Sequence, residues 1–183
     1  MTKEIKSSSI QPEPLDDEWS KWLVGEWKGI VRLGGMKSKA CREIEPGLNG
    51  QFLITKHEHK VTNEEIQELK KIMQISDEDV KKYQNLPFKY LEIWTIDPSN
   101  GEIVGYLFDS MRCVATGKGR REGNKEIMEW KWFVHAQGAT SIRIIEKVSD
   151  DKFIAAEKYM LPDGSTIMEA QGEFTRKKTM TEK

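Results

Sequence analysis

The chain has 183 residues, 29 Lys and Arg against 30 Asp and Glu, a formal charge of -1 and 2 cysteines; this is one domain's length, enough to bury a core without staples. Charges that cancel with no long run of one sign exclude a sequence-independent polyanion binder, so no nucleic-acid partner is expected. No eighteen consecutive apolar residues occur and the first residues, "MTKEIKSSSIQPEPLDDEW", lack an apolar leader core, so no membrane association is expected and the protein is read as cytoplasmic.

In chain order, residues 1–14 are polar and proline-punctuated and are expected to be disordered, as is the tail at 178–183; the folded domain spans 15–177. "LDDEWSKWLVG" predicts a short helix over 16–24, with acidic residues in its first turn and a stop at Gly25. Short alternating segments then recur between turn signals: Gly34-Gly35, "PGLNG" at 46–50, "DPSNG" at 97–101, "EGNK" at 122–125, "SDDK" at 149–152 and "PDG" at 162–164. They predict an antiparallel meander of about ten strands. The segment 62–84 breaks the alternation. Thr62 three before Glu65, and Ser76 three before Asp79, are capping-box spacings that predict two short helices within 63–84; Ile66, Leu69 and Met73 give the first an apolar face. Cys41 and Cys113 have neither CxxC spacing nor a disulfide framework and read as free thiols.

Tight turns act as rulers for which side chains face in. A Gly34-Gly35 turn puts Trp27, Gly29, Val31 and Leu33 on one face with Met36, Ser38, Ala40 and Arg42. An Asn49-Gly50 turn then sets His57 across from Arg42 and His59 across from Ala40, although a one-residue slip would turn Phe52 and Ile54 inwards instead. A turn at Ser110-Met111 sends Tyr106 and Phe108 inwards and leaves Trp94 outside, where with Leu107 it suggests a homodimer patch. A Gly123-Asn124 turn sets Met128 against Gly119, Trp130 against Gly117, Trp132 against Ala115 and Val134 against Cys113, with Glu129 and Lys118 paired outside. Across Asp150-Asp151, Val148 meets Phe153 and Ile144 meets Glu157. Across Asp163-Gly164, Tyr159 meets Met168, Glu157 meets Ala170 and Phe153 meets Phe174, while Lys158 and Glu169 pair outside. Glu157 is thus a carboxylate on an inner face, which is costly unless it is paired, hydrogen-bonded or protonated.

A short helix followed by "GEW", Gly25 to Trp27, resembles the G-x-W opening of lipocalins and their calycin relatives. The resemblance implies a barrel whose end is closed by Trp27, with Arg176 of "EFTRKK" packing across it. "LVGEWKG", "EPGLNGQFL", "YLEIWTIDPSNGEIVGYLFDSM" and "DGSTIMEAQGEFTRK" are similar to stretches of an uncharacterised bacterial domain-of-unknown-function family of calycin-like barrels, itself distantly similar to fatty-acid-binding proteins and nitrobindin. That resemblance implies an all-β, up-and-down barrel of about ten strands and no established activity.

No nucleophile elbow, P-loop, dinucleotide fingerprint, HExxH or zinc-type cysteine spacing is present. The glycines of "GKGRREG" at 117–123 read as gaps opposite tryptophans rather than a phosphate cradle. "HEH" at 57–59 puts two imidazoles on one strand face, two ligands short of a structural metal site. A haem reading, by analogy with nitrobindin, finds no alignable histidine among His57, His59 and His135. No metal and no cofactor are therefore expected. The candidate ligand-binding residues are Arg42, His57, His59, Tyr106, Trp130, Trp132, Glu157 and Tyr159, an apolar wall with few polar anchors for a small, largely hydrophobic molecule. The alternatives are an enzyme using Glu157 with histidine or tyrosine partners, a haem or metal barrel, or an interaction protein with a filled core.

Overall fold

The structure is a computed structural model that describes residues 12–33, 36–60, 67, 76–78, 87–133 and 138–177. Helix α1 (Glu18–Leu23) precedes ten strands: β1 (Gly25–Leu33), β2 (Met36–Gly47), β3 (Phe52–Lys60), β4 (Pro87–Ile96), β5 (Ile103–Asp109), β6 (Val114–Glu122), β7 (Lys125–Trp132), β8 (Thr140–Ser149), β9 (Lys152–Met160) and β10 (Thr166–Arg176). Each strand pairs antiparallel with its sequence neighbours, and β10 returns to β1 to close the barrel. Closure removes the unpaired strand edges that an open sheet of this length would expose. Among the described residues, no helix is long and apolar enough to cross a membrane.

The two ends differ. The base carries α1 and the β2–β3, β4–β5, β6–β7 and β8–β9 turns; the opposite end is the mouth. Asp17 caps α1 by accepting from the Ser20 amide at 2.9 Å and its hydroxyl at 2.6 Å. The helix buries Trp22 and Leu23 against Trp27, whose indole donates to the Leu23 carbonyl at 2.8 Å. The Arg176 guanidinium lies 4.1 Å from the Trp27 ring and donates to the carbonyls of Val24, at 2.7 Å, and Trp22. It thereby satisfies orphan carbonyls of the helix end. Phe153 and Phe174 stack at 4.8 Å behind Trp27, and all three are fully buried. The base is solid.

Most hairpin registers follow from the turns. Arg42 pairs with His57 and Ala40 with His59; Met128 pairs with Gly119, Trp130 with Gly117 and Trp132 with Ala115; Tyr159 pairs with Met168 and Glu157 with Ala170. Trp130 lies flat on Gly117, where an added Cβ would sit 2.7–2.9 Å from the indole.

Two registers differ from expectation, each by one residue. Between β5 and β6 the loop has three residues rather than two. The Asp109 carboxylate accepts from the amides of Met111 and Cys113 at 2.8 and 2.9 Å, and Arg112 takes a positive φ of 64°. This side-chain-capped loop adds a residue and inverts the alternation. Tyr106 and Phe108 therefore face solvent, 57% and 42% exposed, while Trp94 and Leu107 are buried. The outward Trp94 and Leu107 patch that suggested a homodimer does not exist. In β8 the Asp150-Asp151 turn forms with Ser149 opposite Lys152, but a bulge at Val148 sets Lys147 opposite Phe153 and Arg143, not Ile144, opposite Glu157. Ser141, Arg143 and Ile145 consequently point in, and Val148 points out. The helices expected within 63–84 lie almost wholly outside the described residues, as do the Gly34-Gly35 turn, Val134, His135, residues 1–11 and the 178–183 tail.

Because Arg176 joins α1, Trp27 and the last strand, Arg176→Ala should lower the unfolding free energy in urea by about 2–4 kcal/mol. Arg176→Lys should recover only part of that loss, since an ammonium cannot reach two carbonyls and cover an indole together.

Candidate ligand-binding site

Inner-face alternation brings three polar clusters to the waist and mouth of the barrel. The first crosses the lumen. Arg143 of β8 donates to both carboxylate oxygens of Glu92 of β4, at 2.5 and 2.6 Å, and each side chain is only 3% exposed. Burial works against the Arg143 charge, but the Glu92 carboxylate more than reverses this and raises the pKa above the ordinary arginine value. The Arg143 guanidinium carbon lies 5.0 Å from the Trp130 ring centroid. Trp130 Nε1 and Arg143 Nε are buried without a partner.

The second cluster lines β2, β3 and β4. Arg42 Nε donates to His57 Nδ1 at 3.2 Å, and His57 Nε2 lies 3.2 Å from His59 Nδ1. A guanidinium never accepts, so His57 Nδ1 is the acceptor and its proton sits on Nε2. Nε2 then donates to His59 Nδ1, which puts the His59 proton on its own Nε2. The chain of bonds runs in one direction, from Arg42 through His57 to His59. His57 stacks on Tyr90 with ring centroids 4.5 Å apart, and Arg42 lies 4.5 Å over the face of Phe174. Burial, and then the nearby Arg42 charge, hold the His57 pKa well below its ordinary 6.5.

The third cluster lies on β7, β8 and β9. Trp132 Nε1 donates to Ser141 Oγ at 3.2 Å, and Ser141 Oγ donates to Glu157 Oε1 at 2.7 Å. The Tyr159 ring packs 6.0 Å from Trp132, and burial followed by the Glu157 carboxylate pushes its hydroxyl pKa well up. Burial likewise raises the pKa of Tyr90, against the opposing pull of Arg42 and Arg143. Both phenols are neutral, and the Tyr159 hydroxyl is engaged with the Glu157 carboxylate.

Of the expected residues, Arg42, His57 and His59 form one cluster and Trp132, Glu157 and Tyr159 another, with Trp130 between them at the waist. Tyr106 belongs to none, because the β5–β6 loop turns it to solvent. The structure adds Tyr90, Glu92, Ser141 and Arg143. Tyr90 and Glu92 share the alternation of Trp94, so the signal for them was available once Trp94 is turned inwards; Arg143 enters through the bulge at Val148, which no spacing in the sequence marks. Among the described residues no three His, Cys, Asp or Glu side chains gather to hold a metal. A concavity of about 700 Å³ runs along β1–β5 and is lined by outward side chains such as Lys28, Lys56 and Phe108 and also by Arg42, His57 and Tyr90.

No protein-family model matches the chain, and no curated protein matches it. Solved structures do. The S-type phycobiliprotein lyase CPES from Guillardia theta superposes with a TM-score of 0.53 at 12% identity, over 88% of this chain and 92% of its own. Rv2717c from M. tuberculosis superposes with a TM-score of 0.55 at 10% identity, over 86% of this chain and 94% of its own. At such identities the likeness is one of fold, a closed antiparallel barrel.

Two measurements check the clusters. Arg143→Met alone strands the buried Glu92 charge and should cost about 3–5 kcal/mol, whereas adding Glu92→Leu should restore most of it in a double-mutant cycle. His57 is neutral in the fold and free to take a proton when unfolded, so its contribution is complete above pH 6.5 and is lost as pH falls towards the depressed folded value. Wild-type stability should therefore fall relative to His57→Gln as pH drops below 6.5, with a difference slope approaching about 1.4 kcal/mol per pH unit. Parallel pH curves for the two proteins would remove the neutral-imidazole assignment.

Proposed function

We propose that this protein binds a small, largely hydrophobic molecule in the mouth half of its barrel. Trp132, Tyr90 and Tyr159 supply the apolar wall, Trp130 supports its floor beneath the Arg143–Glu92 pair, and Arg42, His57, His59 and Glu157 supply the polar anchors. The observation that carries this reading is the contrast between the two halves. Trp27, Phe153 and Phe174 fill the base with no exposure, whereas Tyr90, Glu157 and Tyr159, on the inner face nearer the mouth, are only half-buried. A barrel serving only as a scaffold gains nothing from polar side chains inside, since each carries a desolvation cost that an aliphatic residue avoids. An apolar wall with a few convergent polar groups is the usual make-up of a small-molecule site. The fold shared with a protein named as a phycobiliprotein lyase supports a functional rather than purely structural barrel.

The finer resemblance to an uncharacterised bacterial family of calycin-like barrels belongs to the same reading; it implies a ten-stranded barrel and no established activity. Glu157 is engaged by Ser141, which fits an anchor better than a free general base.

Because two tryptophans flank the space, a panel of fatty acids, retinoid-like compounds and haem is expected to contain at least one member that changes intrinsic fluorescence saturably. Trp132→Phe should reduce the change, and Glu157→Gln should weaken binding without abolishing it. A panel that leaves fluorescence unaltered, together with a melting temperature that no compound raises, would defeat the proposal.

A further inference from the structure

The polar groups of the lumen do not balance. Arg143 is closed by the bidentate Glu92 pair. Glu157 accepts from Ser141 and stands across the strand pair from Arg143. Arg42 is the other inner-face arginine, and no carboxylate among the described residues is spent on it. It is 8% exposed, yet among the described residues no carboxylate lies within ion-pair distance of it, and its protein hydrogen bond is the one from Nε to a neutral imidazole. Its two terminal nitrogens donate to no protein atom among the described residues, and they are not sealed in the wall as Arg143 Nε is. The Tyr90 hydroxyl feels the Arg42 and Arg143 charges, and more weakly those of Glu92 and Glu157, and makes no protein hydrogen bond among the described residues. Trp130 Nε1 adds another unmet donor deeper in. Among the described residues the unmet groups include the Arg42 terminal nitrogens, Trp130 Nε1 and Ser38 Oγ, a hydroxyl that can donate or accept. A buried cation with unpaired donors is costly, and such donors are met by an acceptor-rich partner.

The geometry of Arg42 says how that partner would sit. One face of the guanidinium is spent on Phe174 at 4.5 Å, and the Nε edge is spent on His57. What is left is the in-plane edge of the terminal nitrogens, the edge that pairs bidentately with planar or tetrahedral oxyanions. Because His57 is held neutral with Nδ1 as acceptor, it fixes the orientation of Arg42 without supplying the missing negative charge.

Resting on the reading above that the lumen binds an apolar molecule, we infer that Arg42, with the Tyr90 hydroxyl beside it, seats an oxyanion group carried by that molecule. The ligand class is an anionic amphiphile, and a neutral compound with the same apolar body binds more weakly.

Anilinonaphthalene sulfonate and phenylnaphthylamine share one aromatic frame and differ by the sulfonate, so they separate the two parts of the idea. Probe emission excited through the lumen tryptophans should show wild-type protein binding the sulfonate roughly tenfold or more tighter than the neutral probe. Arg42→Met keeps the packing on Phe174 and should remove most of that preference while changing the neutral probe by less than about twofold; Arg42→Lys, still charged but unable to pair bidentately, should keep part of it. Equal wild-type affinities, or equal weakening of both probes by Arg42→Met, would overturn the oxyanion seat and leave apolar binding standing. Binding of neither probe would overturn both. The wild-type comparison needs no variant, so a misfolded Arg42→Met leaves the test intact.

Discussion

The bidentate pair between Arg143 and Glu92 is the constraint on which the rest of the interior depends. It spans the lumen from β8 to β4 at the waist, with both side chains almost wholly out of water. Two ions so placed repay their desolvation only when geometry is good and neither is left alone, so the strands that carry them cannot shift independently. The bulge at Val148 is part of this arrangement. Without it Ile144 would occupy the Arg143 position, and Glu92 would be a buried carboxylate facing an aliphatic side chain. The pair also caps the packing below it: Trp130 lies under Arg143, and Gly117 makes room for Trp130.

Below the waist the barrel is organised by aromatic contact and by the anchoring of α1. Trp22, Trp27 and Phe153 meet edge to face at 4.8–6.2 Å, arrangements that suit the ring quadrupoles. A second set of charges sits at this end. Arg121 donates to Asp17 and to Ser20 Oγ, and Trp19 donates to the buried Glu126 at 3.0 Å. Burial pushes the Glu126 pKa up, against Arg121 and Arg143 that favour its ionised form. These bonds tie the helix to the β6–β7 hairpin, so the plug is held by directional contacts as well as by apolar area, and its placement is specified rather than approximate.

Above the waist the logic reverses, with polar groups on facing walls and phenols held neutral between them. The directed bonds from Arg42 through His57 to His59 depend on a deprotonated His57 Nδ1, and burial of that imidazole is what keeps it so. Positioning and electrostatics are therefore coupled on this wall. A charge brought near Arg42 alters the same imidazole that orients it, and a proton placed on Nδ1 would turn an acceptor into a donor facing another donor.

Alternation and turn chemistry carried most of the fold in the linear sequence. Two-residue signals at Gly123-Asn124 and Asp163-Gly164 set the faces of Trp130, Trp132, Glu157 and Tyr159, and "PGLNG" kept Arg42 opposite His57 even though its loop is longer than two residues. Small residues opposite large ones, and opposite charges across the outer face, make those registers self-consistent from the sequence alone. The fold failed to be legible wherever one residue is added without a local mark. Asp109 captures two amides and lengthens a turn by one, which exchanges Tyr106 for Trp94; Val148 bulges and exchanges Ile144 for Arg143. A strand has a period of two, so a single inserted residue inverts every side chain that follows, and what decides the insertion is the energy of the faces it creates. The sequence by itself determined the barrel, its closing tryptophan and most of its inner wall. Only the tertiary structure decided that a buried ion pair holds the waist and that, among the described residues, no carboxylate reaches Arg42, because both are properties of residues from distant strands meeting across the lumen.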